Sequence, residues 1–125
     1  MTMELGHEFS LAYAFEWNAP ISVMTQESIT TYGSDDDRVR LAEHFSVTIA
    51  SLEALSELSS PEVRLAVARN PLTPLQSLAR MSHDPDHAVK AAVNDAINDL
   101  PDVQRVQVRG MIESPMQRLK ARFRA

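Results

Sequence analysis

The stretch VRLAVARNPLTP, from Val63 to Pro74, constrains the fold more than any other part of the chain. A helical turn is closed there by Asn-Pro and reopened by Thr-Pro, and weaker copies of this frame flank it on both sides. Recurrence of that kind marks a repeat architecture, which dictates the fold before any single residue does. Proline is tolerated at the first position of a helix, where its missing N–H costs nothing, and a hydroxyl or carboxylate just before it can cap the free amides. Ser60-Pro61, Thr73-Pro74, Asp84-Pro85 and Ser114-Pro115 are four such pairs, and each predicts the start of a short helix.

The apolar residues then mark one face of each predicted helix. The first carries Asp35, Asp36 and Asp37 at its start, where negative charge meets the positive end of the helix dipole. Val39, Ala42 and Phe45 form its face. A second follows Thr48 with Ile49, Leu52, Leu55 and Leu58; a third opens at Pro61 with Val63, Ala66 and Val67. The next two carry Leu75, Leu78 and Met81, then Val89, Ala92, Val93 and Ala96. A sixth spans Pro101 to Glu113 with Val103 and Val106, and the last starts at Pro115 with Leu119 and Phe123. Val39-Arg40-Leu41-Ala42, Val63-Arg64-Leu65-Ala66 and Val89-Lys90-Ala91-Ala92 read as one step, spaced by 24 and then 26 residues. Leu55 and Leu58 correspond to Leu78 and Met81, 23 residues on. Neither helix of a unit can bury its stripe alone, so stacking of units joins the stripes into one core.

The N-terminal segment reads differently. Leu5, Phe9, Leu11, Tyr13, Phe15 and Trp17 fall at odd positions, the period of a half-buried strand. Asn18-Ala19-Pro20 is turn chemistry, and Ile21 to Tyr32 is rich in Ile, Val and Thr, which predicts a second strand and a hairpin. Two competing readings stand beside it. Leu5, Phe9, Tyr13 and Trp17 also fit helical intervals of four, and Ser22 can cap a helix that stops before Gly33, as a degenerate first repeat. A lone aromatic strand must pair through its backbone, so it either caps the apolar end of the stack or joins its copy in a homodimer.

At 125 residues the chain has room for one domain, read as an N-terminal capping segment (1–34), helical repeats (35–100) and C-terminal helices with a basic tail (101–125). It has no cysteine, hence no disulfide framework and no thiolate chemistry. No run approaches the roughly 18 apolar residues that a membrane span requires. The N-terminus lacks the basic-then-apolar pattern of a secretory signal, so a cytoplasmic location is expected. The net charge of -5 is unevenly placed. Residues 1–37 hold seven acids and no Lys or Arg, whereas residues 101–125 are basic. Opposite poles of this kind attract within a chain, between chains or through partners.

VRLAVARNPLTP followed by LARMSHDPDHAVKAAV resembles the leucine-rich repeat variant family, a relative of the HEAT and armadillo helical repeats. The resemblance covers residues 39–97, with Val63–Val93 closest. It implies a mainly α fold in which paired short helices stack into a small right-handed solenoid, here with a small N-terminal β element added. It implies a general recognition surface and no particular activity. Some members carry an iron–sulfur cluster on cysteines, a feature that cannot carry over to a chain without any. The first unit lacks Asn-Pro and the third has Asn94-Asp95 in its place, departures expected of terminal units.

Few residues suggest chemistry. His83-Asp84-Pro85-Asp86-His87 is rich in ligand types, but Asp84 and Pro85 already serve as cap and first helical residue, and no third histidine is near. Adjacent Asp35, Asp36 and Asp37 lack the alternate spacing of a calcium loop. No nucleophile motif or phosphate loop is present, so no enzymatic activity, metal or cofactor is expected. The candidate partner-binding residues are basic. Arg40, Arg64 and Lys90 share one repeat position and would form a ladder, with Asp36–Arg40 and Asp86–Lys90 as i,i+4 pairs and Arg64 left freer. Arg69 and the tail residues Arg118, Lys120, Arg122 and Arg124 complete the set. The reading is a module that binds another protein through one face of its stack; the alternative is a nucleic-acid-associated factor using the ladder and the tail.

Overall fold

The computed structural model describes residues 14–112, and every regular element among them is helical. Residues 14–17 are the end of a helical turn. Seven helices follow: α1 (Val23–Tyr32), α2 (Asp35–Glu43), α3 (Ile49–Leu55), α4 (Pro61–Arg69), α5 (Leu75–Met81), α6 (His87–Asn98) and α7 (Asp102–Ile112). They form two layers. Helices α2, α4 and α6 pack side by side in one, and α1, α3, α5 and α7 make up the other, with contacts between the layers joining α1 to α2, α2 to α3, α3 to α4, α5 to α6 and α6 to α7. This is a helical-repeat stack.

Its period is a uniform 26 residues, which the sequence spacings of 24, 26 and 23 only approximate. The N-caps of one layer are Ser34, Ser60 and Asp86. Those of the other are Ser22, Thr48 and Pro74. Helices α2 and α4 have the same length and end alike, at His44 and Asn70, where each cap N–H reaches back to the carbonyl of Leu41 or Val67. Helices α3 and α5 end at Ser56 and Ser82, whose hydroxyls donate to the carbonyls of Glu53 and Ala79. The core obeys the same spacing: Leu41, Val67 and Val93 are fully buried equivalents, as are Ile29, Leu55 and Met81 one layer over. Burying such side chains is the main drive for stacking.

Several expectations change in this frame. The hairpin is replaced, within the described residues, by helices. Ser22 caps α1 by accepting from the Thr25 N–H, and Gly33 closes it with an N–H to the Ile29 carbonyl. Val, Ile and Thr in that segment are compatible with helix once both ends are capped and Ile29 is buried. Phe15 and Trp17, expected on a strand, lie in the helical turn that Asn18 ends with a positive φ of 52°. Asparagine tolerates that left-handed geometry better than most residues. Residues 5–13 of the expected strand, and the helix expected from Pro115, lie outside the described residues.

The faces also shift. Leu41 joins Ala42 in the core, while Phe45 and Ile49 are largely exposed. On α7 the buried residue is Val108; Val103 and Val106, expected inside, sit on the opposite side of the helix and face outward. The proline signals are offset too. Pro61 opens α4, but α5 starts after Pro74, and α6 starts after Asp86 rather than Asp84. Thr73 turns its hydroxyl back to the Val67 carbonyl, and Asp84 is committed elsewhere.

Candidate interaction surface

The basic residues singled out in the sequence do not form one row. Under the 26-residue period, the equivalents of Arg64 are Arg38 and Lys90, and Arg40 stands two residues further along α2. Two residues turn a helix by about 200°, so Arg40 faces away from Arg38. It lies over the Phe15 ring, 5.7 Å from its centre. Neither Asp36–Arg40 nor Asp86–Lys90 appears among the ion pairs of the described residues. Asp86 instead accepts from the N–H groups of Ala88 and Val89 as the cap of α6. Arg118, Lys120, Arg122 and Arg124 lie outside the described residues.

Arg64, expected to be the freest of the ladder, is the most engaged. Its Nε and one Nη donate to the two oxygens of Asp84 at 2.7 and 3.1 Å, and the other Nη donates to the Leu58 carbonyl at 2.9 Å. Only 13% of the Arg64 side chain and 5% of the Asp84 side chain remain exposed. Burial pushes the Asp84 carboxyl up, but the Arg64 hydrogen bonds, the Asp86 N–H and the Arg64 charge outweigh it and hold the group below its ordinary value. The Asp84 hydrogen bonds, working against desolvation, raise the guanidinium of Arg64. This forked pair ties α4 to the loop before α6, and the bond to Leu58 adds the loop before α4. Arg38 does part of the same task one unit earlier, reaching the Ile29 and Thr31 carbonyls at the end of α1. A cation at the C-terminal end of a helix meets its unpaired carbonyls and favourable dipole.

Two equivalent grooves open, one between the turn at 14–17 and α2 and the other between α4 and α6. One, of about 600 Å³, is lined by Phe15, Glu16, Asn18, Arg40, Glu43 and His44. The other, of about 410 Å³, includes Ala68, Arg69, Ala92, Asp95 and Ala96. Glu16, Arg40, Glu43 and His44 stand two periods before Ala68, Ala92, Asp95 and Ala96, so the groove is a property of the backbone repeat while its chemistry varies. Arg69, an exposed residue of α4, sits in the second.

The more distinctive surface runs along the edge where first-layer helices end and second-layer helices begin. Val23 and Ile49 are the first residues of α1 and α3, one period apart, and are 57% and 58% exposed. Phe45, in the loop leading to α3, is 57% exposed and stacks on His44 at 4.8 Å. Met24 and Trp17 add further exposed apolar surface at the same end of the stack. Hydrogen bonds bring these segments together: the Ile21 N–H donates to Ser46 Oγ at 3.0 Å, and Gln26 bridges to the Ser46 carbonyl and the Thr48 N–H. Leu72, also exposed, continues the edge one unit on. Phe45 and Ile49, expected in the core from local spacing, turn outward in this register. The signal that could have found them is the 26-residue register of the caps.

No group of three or more metal-ligating residues is assembled among the described residues. Nor is any described helix long and apolar enough to cross a membrane. A known family model matches the stretch that covers α4, the following loop, α5 and the turn to Asp86. Residues 61–86 match the leucine rich repeat variant model. The matched stretch is one whole 26-residue period, and it contains both the Asn-Pro closure and the Arg64–Asp84 lock. Within this matched stretch Arg64 is thus a connecting residue. Neither curated proteins nor solved structures match the chain.

Proposed function

We propose that the protein is a non-enzymatic interaction module that docks another protein along the apolar edge formed by Val23, Met24, Phe45 and Ile49. The observation that carries this reading is the exposure of those four large apolar side chains on consecutive, hydrogen-bonded segments. Large apolar groups gathered on a surface stabilise association when covered. The described residues hold no buried side-chain donor or acceptor without a partner, so the edge is not the by-product of a poorly satisfied core. A leucine-rich-repeat-variant unit at residues 61–86 supports the same class of role, since helical stacks present long regular surfaces to partners.

Photo-activatable side chains placed at positions 24, 45 and 49, with position 95 in the first-layer groove as the comparison, test the assignment. Crosslinks to protein from the three edge positions and few from position 95 are expected. Crosslinks concentrated at position 95 would move the docking surface to the groove, and none at the edge would remove it.

A further inference from the structure

Helix α7 is attached to the stack by one row of side chains. Val108 is fully buried, Arg105 and Ile112 beside it are half-buried, and the other residues of the helix are exposed. Val106 and Gly110 each stand two residues from Val108, about 200° around the helix, and Val103 continues their stripe one turn earlier. Val103 and Val106 are large apolar groups left almost entirely open. Nothing described requires a glycine at 110: its φ is not positive, and a Cβ added there would meet no atom within 4 Å. Inside a helix glycine costs stability relative to alanine, and what it supplies is room for close approach from outside. The stripe is two apolar knobs beside a hollow.

Charge selects the occupant. The charged residues of α7 are Asp102, Arg105 and Arg109. Arg105 lies toward the buried row and pairs with Asp102 in its own chain. Asp102 is otherwise open to solvent, and Arg109 has no ion pair among the described residues. Seven residues apart, the two stand on the same flank of the stripe, one at each end. On the elements packed against α7, Arg80 is turned to Glu57 and Ser56, Asp95 and Asp99 line the groove beside α4, and Lys90 is exposed on α6. A negative start and a positive end on one flank match the same flank of an identical helix running the other way. About a two-fold axis at Val106, Asp102 of each chain comes beside Arg109 of the other, Val103 sits against Gly110, and Val106 meets its own copy. The helix dipoles are then also opposed. We infer that α7 is a self-complementary surface that packs antiparallel on α7 of a second copy. This contact is separate from the docking edge on α1 and α3.

Sedimentation equilibrium of the full chain tests it. A dimer with a Kd of about 10–100 µM is expected, since one short helix pair gives a contact at the low end of specific interfaces. Val106→Asp should weaken it at least about tenfold and leave the circular dichroism unchanged. Phe45→Asp, in the docking edge, should leave the dimer intact. Asp102→Arg and Arg109→Asp chains each bring like charges together at both ends of the contact and should be largely monomeric. Their equimolar mixture should regain dimer mass, because both ends are then of opposite sign. The chain has no cysteine, so single introduced thiols report the register. With a short bismaleimide, Val106→Cys should crosslink to itself and Val103→Cys should not, whereas Val103→Cys mixed with Gly110→Cys should. A chain still monomeric at about 1 mM would overturn the inference. So would a dimer indifferent to Val106→Asp and to both charge reversals, one lost in Phe45→Asp, or one that Val103→Cys alone crosslinks. A monomer whose melting temperature falls with Val106→Asp would also sink it, since the face would then be covered within its own chain.

Discussion

The unit around α1 and α2 and the unit around α4 and α5 fulfil the same geometric duties with different atoms. At the buried position of Leu52 and Leu78 the first unit has Gln26, only 1% exposed. Its amide nitrogen donates to the carbonyls of Ile21 and Ser46, and its oxygen accepts from the Thr48 N–H and from the hydroxyls of Thr48 and Ser51. Where the second unit closes a helix with Asn70, the first uses His44. Asn70 donates from Nδ2 to the Ala42 carbonyl and accepts the Leu72 N–H. His44 sets Nε2 against the Ala14 carbonyl at 3.3 Å and accepts the Ser46 N–H on Nδ1 at 3.2 Å. That pattern assigns the ring proton to Nε2. The lesson is that the repeat specifies backbone duties, and more than one side chain can meet them. In the unit around α1 and α2 both residues are buried, and their hydrogen bonds go to backbone groups of neighbouring segments.

The largest expected effect separates the central lock from its weaker relative. Arg64→Ala leaves Asp84 buried without its cation and is expected to cost about 3 kcal/mol in urea unfolding. Arg38→Ala removes a more exposed contact, with Asp35 at 3.4 Å, and is expected to cost under about 1 kcal/mol. Equal losses would mean that the two units are locked alike. The same pair predicts a pH dependence. Folding lowers the Asp84 pKa, so its stabilisation is complete above the ordinary carboxylate value and is lost as pH falls through the lower folded value. Unfolding followed below about pH 4 should therefore show a loss that Asp84→Asn, already weakened at neutral pH, shows less of.

Next comes the buried amide. Gln26→Leu installs the residue found at the equivalent positions, yet it orphans the Thr48 N–H and the Ser46 carbonyl, and about 2 kcal/mol of destabilisation is expected. A neutral or stabilised Gln26→Leu chain would show that the first unit can relax to the central packing. Smallest is His44→Asn, which swaps one closure for the other and is expected to change stability by less than about 1 kcal/mol. His44→Ala, leaving the Ala14 carbonyl and Ser46 N–H without it, should cost more, about 1–2 kcal/mol. If Asn rescues no better than Ala, the likeness of the two closures is superficial.

The amino-acid sequence by itself determined the architecture, because helix punctuation and apolar stripes are local properties. Val63, Ala66 and Val67 on α4, and Leu78 and Met81 on α5, occupy the faces their spacing predicts. The acidic start of α2 does so as well. The basic ladder was not legible, since matching Val-Arg steps puts Arg40 in the place that the caps give to Arg38. An error of two residues carries a side chain to the far side of a helix. The helical state of residues 23–32 was legible only as one of two readings. Its β-branched residues fit either state, and the choice rests on burying Ile29 and satisfying Gln26 through α3. Tertiary structure alone decided the rest. Arg64 meets Asp84 across 20 residues, Gln26 meets Thr48 across 22, and Phe45 and Ile49 are left exposed. Long-range partners of polar groups and the outward turn of an apolar residue depend on which helices lie alongside, and local spacing carries no record of that.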